Sequence, residues 1–83
     1  MKVRVRYFAS LREAFGSEET VEMPAGATLG ELRDMLIARG GAHAERLGRD
    51  RALRGALDQA MADEARVIDE GAEVAFFPPV TGG

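Results

Sequence analysis

The chain has 83 residues, no cysteine and a formal net charge of −3 at pH 7. That confines it to one small domain that hides only about 60 to 65% of its unfolded surface, and it excludes disulfides, thiolate metal ligands and a cysteine nucleophile. The acidic balance argues against nucleic acid as the main partner, and no run approaches the ~18 apolar residues of a membrane span, so a cytoplasmic protein without a membrane partner is expected.

Lys2 to Phe8 alternates, with Val3, Val5 and Tyr7 on one face and Lys2, Arg4, Arg6 and Phe8 on the other. This predicts a half-buried strand. Ser10-Leu11-Arg12-Glu13 reads as a capping box opening a short helix that Gly16 ends. Glu19 to Met23 alternates again with Val21 and Met23 inward, and Pro24-Ala25-Gly26 closes this second strand, which is expected to pair with the first. Thr28 and Glu31 form another capping box, and Leu29, Leu32, Met35 and Leu36 make one apolar stripe. The main helix is therefore predicted from Leu29 to Arg39, ending at Gly40-Gly41.

Ala42 to Arg54 mixes alanine and arginine with Leu47 and Leu53 and reads as a short helix and a loop. Ala56 to Ala62 reads as a strand that turns back near Asp63-Glu64, and Val67 to Gly71 as a tight turn carrying Ile68 inward. The last strand runs from Glu73 to Phe77, with Val74 and Phe76 toward the core and Ala75 and Phe77 outward. Two strands, one principal helix and further strands predict an α+β fold, a sheet wrapped on one main helix. A ferredoxin-like arrangement would need two comparable crossover helices, and only the helix from Leu29 is long enough.

The inventory for catalysis is thin, with one histidine, one lysine and one tyrosine. His43 has no second histidine or cysteine beside it and reads as structural or solvent-exposed. Asp63, Glu64, Asp69 and Glu70 lack the glycine-punctuated order of a calcium loop and read as a solvated face. Arg46, Arg49, Arg51 and Arg54 read as a solvated helix end or loop, a patch for an acidic partner being the lesser alternative. No metal site is expected. Phe8 and Phe77 fall on the outward face, joined by Met61 if its strand pairs nearby, which suggests a docking surface unless a second layer covers it.

The segment Phe76-Phe77-Pro78-Pro79-Val80-Thr81-Gly82-Gly83 completes the reading. A proline pair cannot donate to a ladder, so pairing should stop near Phe77 and leave residues 80–83 as a tail on a single domain, 1–83. Such a tail reaches roughly 13 Å beyond Pro79. Its side-chain-free glycines suit a narrow channel, with the carboxylate of Gly83 delivered to a reactive centre in another protein.

Three stretches carry a family resemblance: Tyr7 to Glu13, Ala56-Leu57-Asp58-Gln59, and Glu73 to Gly83. Together they resemble the small subunit of molybdopterin synthase, the MoaD-type sulfur carrier of the ubiquitin-like MoaD/ThiS superfamily. The likeness covers nearly the whole chain, although Asp58 stands where that family usually has Asn, and residues 41–55 match none of its motifs. It implies a ubiquitin-like β-grasp fold. It also implies that an adenylyltransferase related to ubiquitin activators uses ATP and magnesium to convert the Gly83 carboxylate to an acyl-adenylate, and that a persulfide donor replaces AMP with sulfur. The thiocarboxylate would then enter the synthase large subunit, in an assembly of two small and two large subunits, and supply the dithiolene sulfurs of molybdopterin to a cyclic pyranopterin monophosphate precursor.

On this resemblance Gly83 is the covalent carrier, Gly82 and Thr81 its slender approach, and Phe8, Arg12, Met61 and Phe77 the partner contacts. The chain would bind no cofactor of its own, and the catalytic acids and bases would belong to its partners. The alternatives are a thiamine-pathway or other MoaD-like sulfur carrier, a ubiquitin-like protein modifier linked to lysine, and a purely non-covalent binding domain.

Overall fold

The computed structural model describes residues 1–78, so the tail expected at residues 80–83, with Thr81, Gly82 and Gly83, lies outside the described residues. Burial of every second side chain organises the first strand, β1 (Lys2–Tyr7), whose Val3, Val5 and Tyr7 are buried. Then follow α1 (Ser10–Phe15), β2 (Glu18–Glu22), α2 (Leu29–Ile37), α3 (Gly41–Leu47), β3 (Arg54–Leu57), β4 (Ala60–Ala62) and β5 (Glu73–Phe77). The five strands form one sheet in the order β2-β1-β5-β3-β4. Only β1 and β5 run parallel; the other neighbours are antiparallel, which makes the sheet mixed.

The main helix starts as its sequence predicts. Thr28 Oγ1 accepts from the Glu31 amide at 3.1 Å and the Thr28 amide donates to Glu31 Oε1 at 2.9 Å, so two orphan donors of the first turn are satisfied reciprocally. Its Leu29, Leu32 and Leu36 join Val3, Val5, Val74 and Phe76 in the single core cluster. Gly55 lets β3 approach this helix, since a Cβ there would lie 2.7 Å from Leu29 Cδ2.

Two local predictions are corrected. Ser10 does not cap α1: the N-cap is Ala9, at φ 53°, with no side-chain cap bond, and Ser10 is already helical. Nor is Ala56 to Ala62 one strand reversing near Asp63-Glu64. The reversal falls at Asp58 and Gln59, both at positive φ (48° and 70°), between β3 and β4. This is the two-residue loop that matches strand twist, and Asp58 Oδ1 adds a bond from the Glu73 amide at 3.0 Å. Ile68 is buried as expected, its amide donating to Ala27 O at 2.8 Å.

Phe15 lies edge-on to Tyr7 (ring centroids 5.0 Å apart) and stacked on His43 at 4.2 Å. The Tyr7 hydroxyl donates to Glu19 at 2.7 Å, and burial, then that carboxylate, pushes its phenol well above its ordinary range. His43 is held below its ordinary value of 6.5, first by burial and then by the neighbouring Arg39 guanidinium. Its place is packing, as its isolation in the sequence suggests.

The segment from α3 to β3 is organised by a residue that the sequence does not single out. Arg33 is 5% exposed. Its guanidinium donates to the carbonyls of Leu47 (2.8 Å), Gly48 (2.7 Å) and Arg51 (3.1 Å) and to Glu64 at 2.7 Å. The fork therefore terminates α3 and ties the following loop to the one before Val67. Arg49 joins the network through Asp34 at 2.6 Å and through Glu64. Arg33→Lys keeps the charge and loses the fork, so it should cost about 1 to 3 kcal/mol, read by denaturant unfolding. The Glu64 carboxyl is held below its ordinary 4.5, chiefly by its bond from Arg49. Its contribution is thus present above about pH 4.5 and lost as pH falls through the depressed value, and Glu64→Gln should flatten that part of the acid limb.

Candidate functional site

The alternation that buries Val5, Tyr7, Val74 and Phe76 sends a second set of side chains to the opposite face. The parallel register places Arg4 beside Glu73 and Arg6 beside Ala75, and the ladder continues one step further, the Phe8 amide donating to Phe76 O at 3.2 Å. Phe8 and Phe77 therefore meet at the same end of the sheet, ring centroids 6.4 Å apart and edge to face. Across β3, Arg54 lies opposite Phe77 and Ala56 opposite Ala75, and Met61 on β4 lies opposite Ala56.

This face is open to solvent. Phe8 is 38% and Met61 59% exposed, and the Arg4 side chain is 57% exposed. All three aromatic and sulfur-bearing side chains expected outward are so placed, with Phe77 half-buried against its neighbours. A cationic rim adjoins the apolar end. The Arg6 guanidinium sits 5.2 Å over the Phe8 ring, and it lies 3.7 Å from Glu73, which also pairs with Arg4 at 3.3 Å. Arg12 is exposed on α1, whose first residue comes two positions after Phe8. Neither Arg12 nor Arg54 has an ion-pair partner among the described residues.

The arrangement suits non-covalent docking: aromatic edges supply contact area, and unpaired guanidiniums favour a partner surface carrying carboxylates. Arg54 was expected in a solvated loop, and its place beside Phe77 depends on a strand register between distant segments. β5 ends at Phe77 and Pro78 follows, so the chain leaves the sheet at the Phe8 and Phe77 end. Thr81, Gly82 and Gly83 cannot be placed beside it, since they lie outside the described residues.

A cleft of about 580 Å³ between α2 and the β3–β4 hairpin is lined by Leu29, Arg33, Gly55 and Phe76 and also by Arg54 and Met61. The Arg33 donors there are already engaged by the chain's own carbonyls and Glu64. Among the described residues no three His, Cys, Asp or Glu side chains are grouped to hold a metal ion, and no helix is long and apolar enough to cross a membrane.

A family model described as the ThiS family matches residues 5–83. The chain is 36% identical over 81 residues to the "Molybdopterin synthase sulfur carrier subunit" of Escherichia coli (strain K12), covering 98% of this chain and 99% of that one. Among solved structures it is similar to the H. volcanii small archaeal modifier protein 1, with TM-score 0.80, 28% identity and coverage of 95% and 98%. It is likewise similar to the "Putative molybdopterin converting factor, subunit 1" from Pyrococcus furiosus, with TM-score 0.79, 28% identity and coverage of 96% and 99%. The architecture these structures share with the chain is the ubiquitin-like β-grasp: a mixed five-stranded sheet with α2 packed on one face.

The exposed aromatic pair should matter little to the fold. In a double-mutant cycle, Phe8→Ala and Phe77→Ala should couple by only about 0.5 to 1.5 kcal/mol in thermal or denaturant unfolding, the value of an edge-to-face contact outside the core. A several-fold larger loss in either single variant would place that ring in the core.

Proposed function

The chain belongs to the ThiS family, and on that premise we propose that it is a cytoplasmic sulfur carrier of molybdenum cofactor biosynthesis. The observation that carries this reading is the end of β5: the strand finishes at Phe77, beside Phe8 on the open face, and the family match continues through residue 83. A partner seated on that face is adjacent to the point where the chain leaves the sheet. The name of the Escherichia coli relative supports molybdopterin synthase as the destination.

In this reading the Gly83 carboxylate is the carrier group, with Gly82 and Thr81 forming its approach. A carboxylate is a poor electrophile, so an adenylyltransferase first joins it to AMP with release of pyrophosphate; ATP and magnesium are consumed there and are not cofactors of this chain. A persulfide donor then displaces AMP to form an acyl disulfide, and a second thiol on the donor side cleaves its S–S bond, which leaves the thiocarboxylate on this chain and a disulfide on the donor. Its sulfur passes to the pyranopterin precursor within the synthase large subunit, in an assembly of two small and two large subunits. Phe8, Met61 and Phe77 supply the apolar contact, while Arg12, with Arg6 and Arg54, orients the partner's acidic groups.

A second reading, covalent attachment of the same terminus to lysine as a protein modifier, is favoured by the likeness to the small archaeal modifier protein. The two separate by one comparison in cells and in a reconstituted synthase. Removing Gly83, or replacing Gly82 with Trp, should abolish sulfur transfer to the precursor while the unfolding midpoint stays unchanged, because among the described residues the core cluster is built from residues 3 to 76. Retained transfer by the truncated chain would sink the carrier reading. Reductant-resistant conjugates to cellular proteins, lost in the same variants, would support the modifier.

A further inference from the structure

Between the two proposed contacts Phe8 and Arg12, one residue holds a backbone conformation that its side chain opposes. Ala9 has φ 53° and ψ −129°. With the Leu11 amide bonded to Phe8 O at 3.1 Å, it occupies the first central position of a type II′ turn, a place dominated by glycine because a Cβ crowds the backbone there. The geometry is over-determined from both sides. The Phe8 amide is tied to Phe76 O, the buried Leu11 anchors α1, and Ala9 O accepts from the Arg12 and Glu13 amides at 3.1 and 3.3 Å. Strain of this kind persists where the surroundings impose it, and it gathers at sites that act on other molecules.

Ala9 is exposed and stands outside the core cluster. Glycine would adopt the same turn without the clash, so the Cβ opposes folding here. The residue directly follows Phe8, which meets Phe77 at the end of the sheet where the chain leaves β5. We propose that the Ala9 methyl is itself a partner contact, seated in a small apolar concavity of the large subunit between the recesses that receive Phe8 and Arg12. The inference rests on the docking role of the open face given above.

The test compares Ala9→Gly with the unaltered protein in two readouts, thermal unfolding and affinity for the large subunit of its own organism's synthase. The variant should unfold at a higher temperature, because the strain is relieved, and should bind about fourfold more weakly, the loss expected for one buried methyl group. Unchanged hydrogen exchange at the Leu11 amide shows that the turn has not loosened. Phe8→Ala serves as the control for the docking face. If Phe8→Ala weakens binding and Ala9→Gly does not, the contact is refuted and the docking role stands. A lower unfolding temperature for Ala9→Gly refutes the strain on which the contact is argued. Unimpaired binding by Phe8→Ala overturns the docking role, and the Ala9 contact falls with it.

Discussion

The ladder between β1 and β5 is the constraint on which the rest of the molecule depends. It joins the first strand to the last in parallel at the centre of the sheet, and a parallel pair requires a crossover. Everything from α1 to the turn before Glu73 is that crossover, and α2, packed over the sheet, is its main load. The register also decides what the protein shows to others. Because side chains alternate with period two, a slip of one residue would turn Val74 and Phe76 outward and take Phe77 from beside Phe8 into the core. Fold and proposed docking surface are thus two faces of one pairing: the core side of these strands is aliphatic and aromatic while the other carries Arg4, Arg6, Phe8 and Phe77.

A crossover of this length needs a second anchor, and Arg33 supplies it from the buried side of α2. Taking a guanidinium out of water costs several kcal/mol unless its donors are matched. Here three carbonyls and one carboxylate match it, so the loop after α3 is fixed by hydrogen bonds more than by apolar burial. The bonds are directional, and they place the chain at the start of β3 so that Arg54 comes to stand opposite Phe77.

Legibility in the sequence followed how local the cause was. Val3, Val5 and Tyr7, the Thr28 to Glu31 box, and the bounds of β5 are set by neighbours within a few residues, and each is where its pattern predicts. Ser10 carries the capping pattern but sits one residue too late, because the type II′ turn at Ala9 has already started the helix; alanine gives no sign of positive φ. The β3–β4 hairpin is hidden for a related reason, since Asp58-Gln59 lacks the glycine that usually marks such a loop. Arg33 looks like part of a polar helix face until α3 and the Glu64 loop close over it. Of the candidate site, Phe8 and Phe77 could be assigned outward from alternation alone, whereas Met61 depended on its strand pairing nearby, which β4 does through β3. Arg54 could not, because its neighbour on the sheet lies more than twenty residues away. Arg12 drew attention through family likeness, and its exposure beside the same end of the sheet is a structural finding.

The central proposal is chemical, that the carboxylate of Gly83 is the group that carries sulfur. The most direct measurement is the intact mass of the full chain after incubation with its adenylyltransferase, magnesium-ATP and a persulfide donor, alongside the chain lacking Gly83. A gain equal to exchange of one oxygen for one sulfur, confined to the full chain, is the predicted result. No gain in the presence of partners shown to be active on another carrier, or an equal gain in the truncated chain, would contradict it.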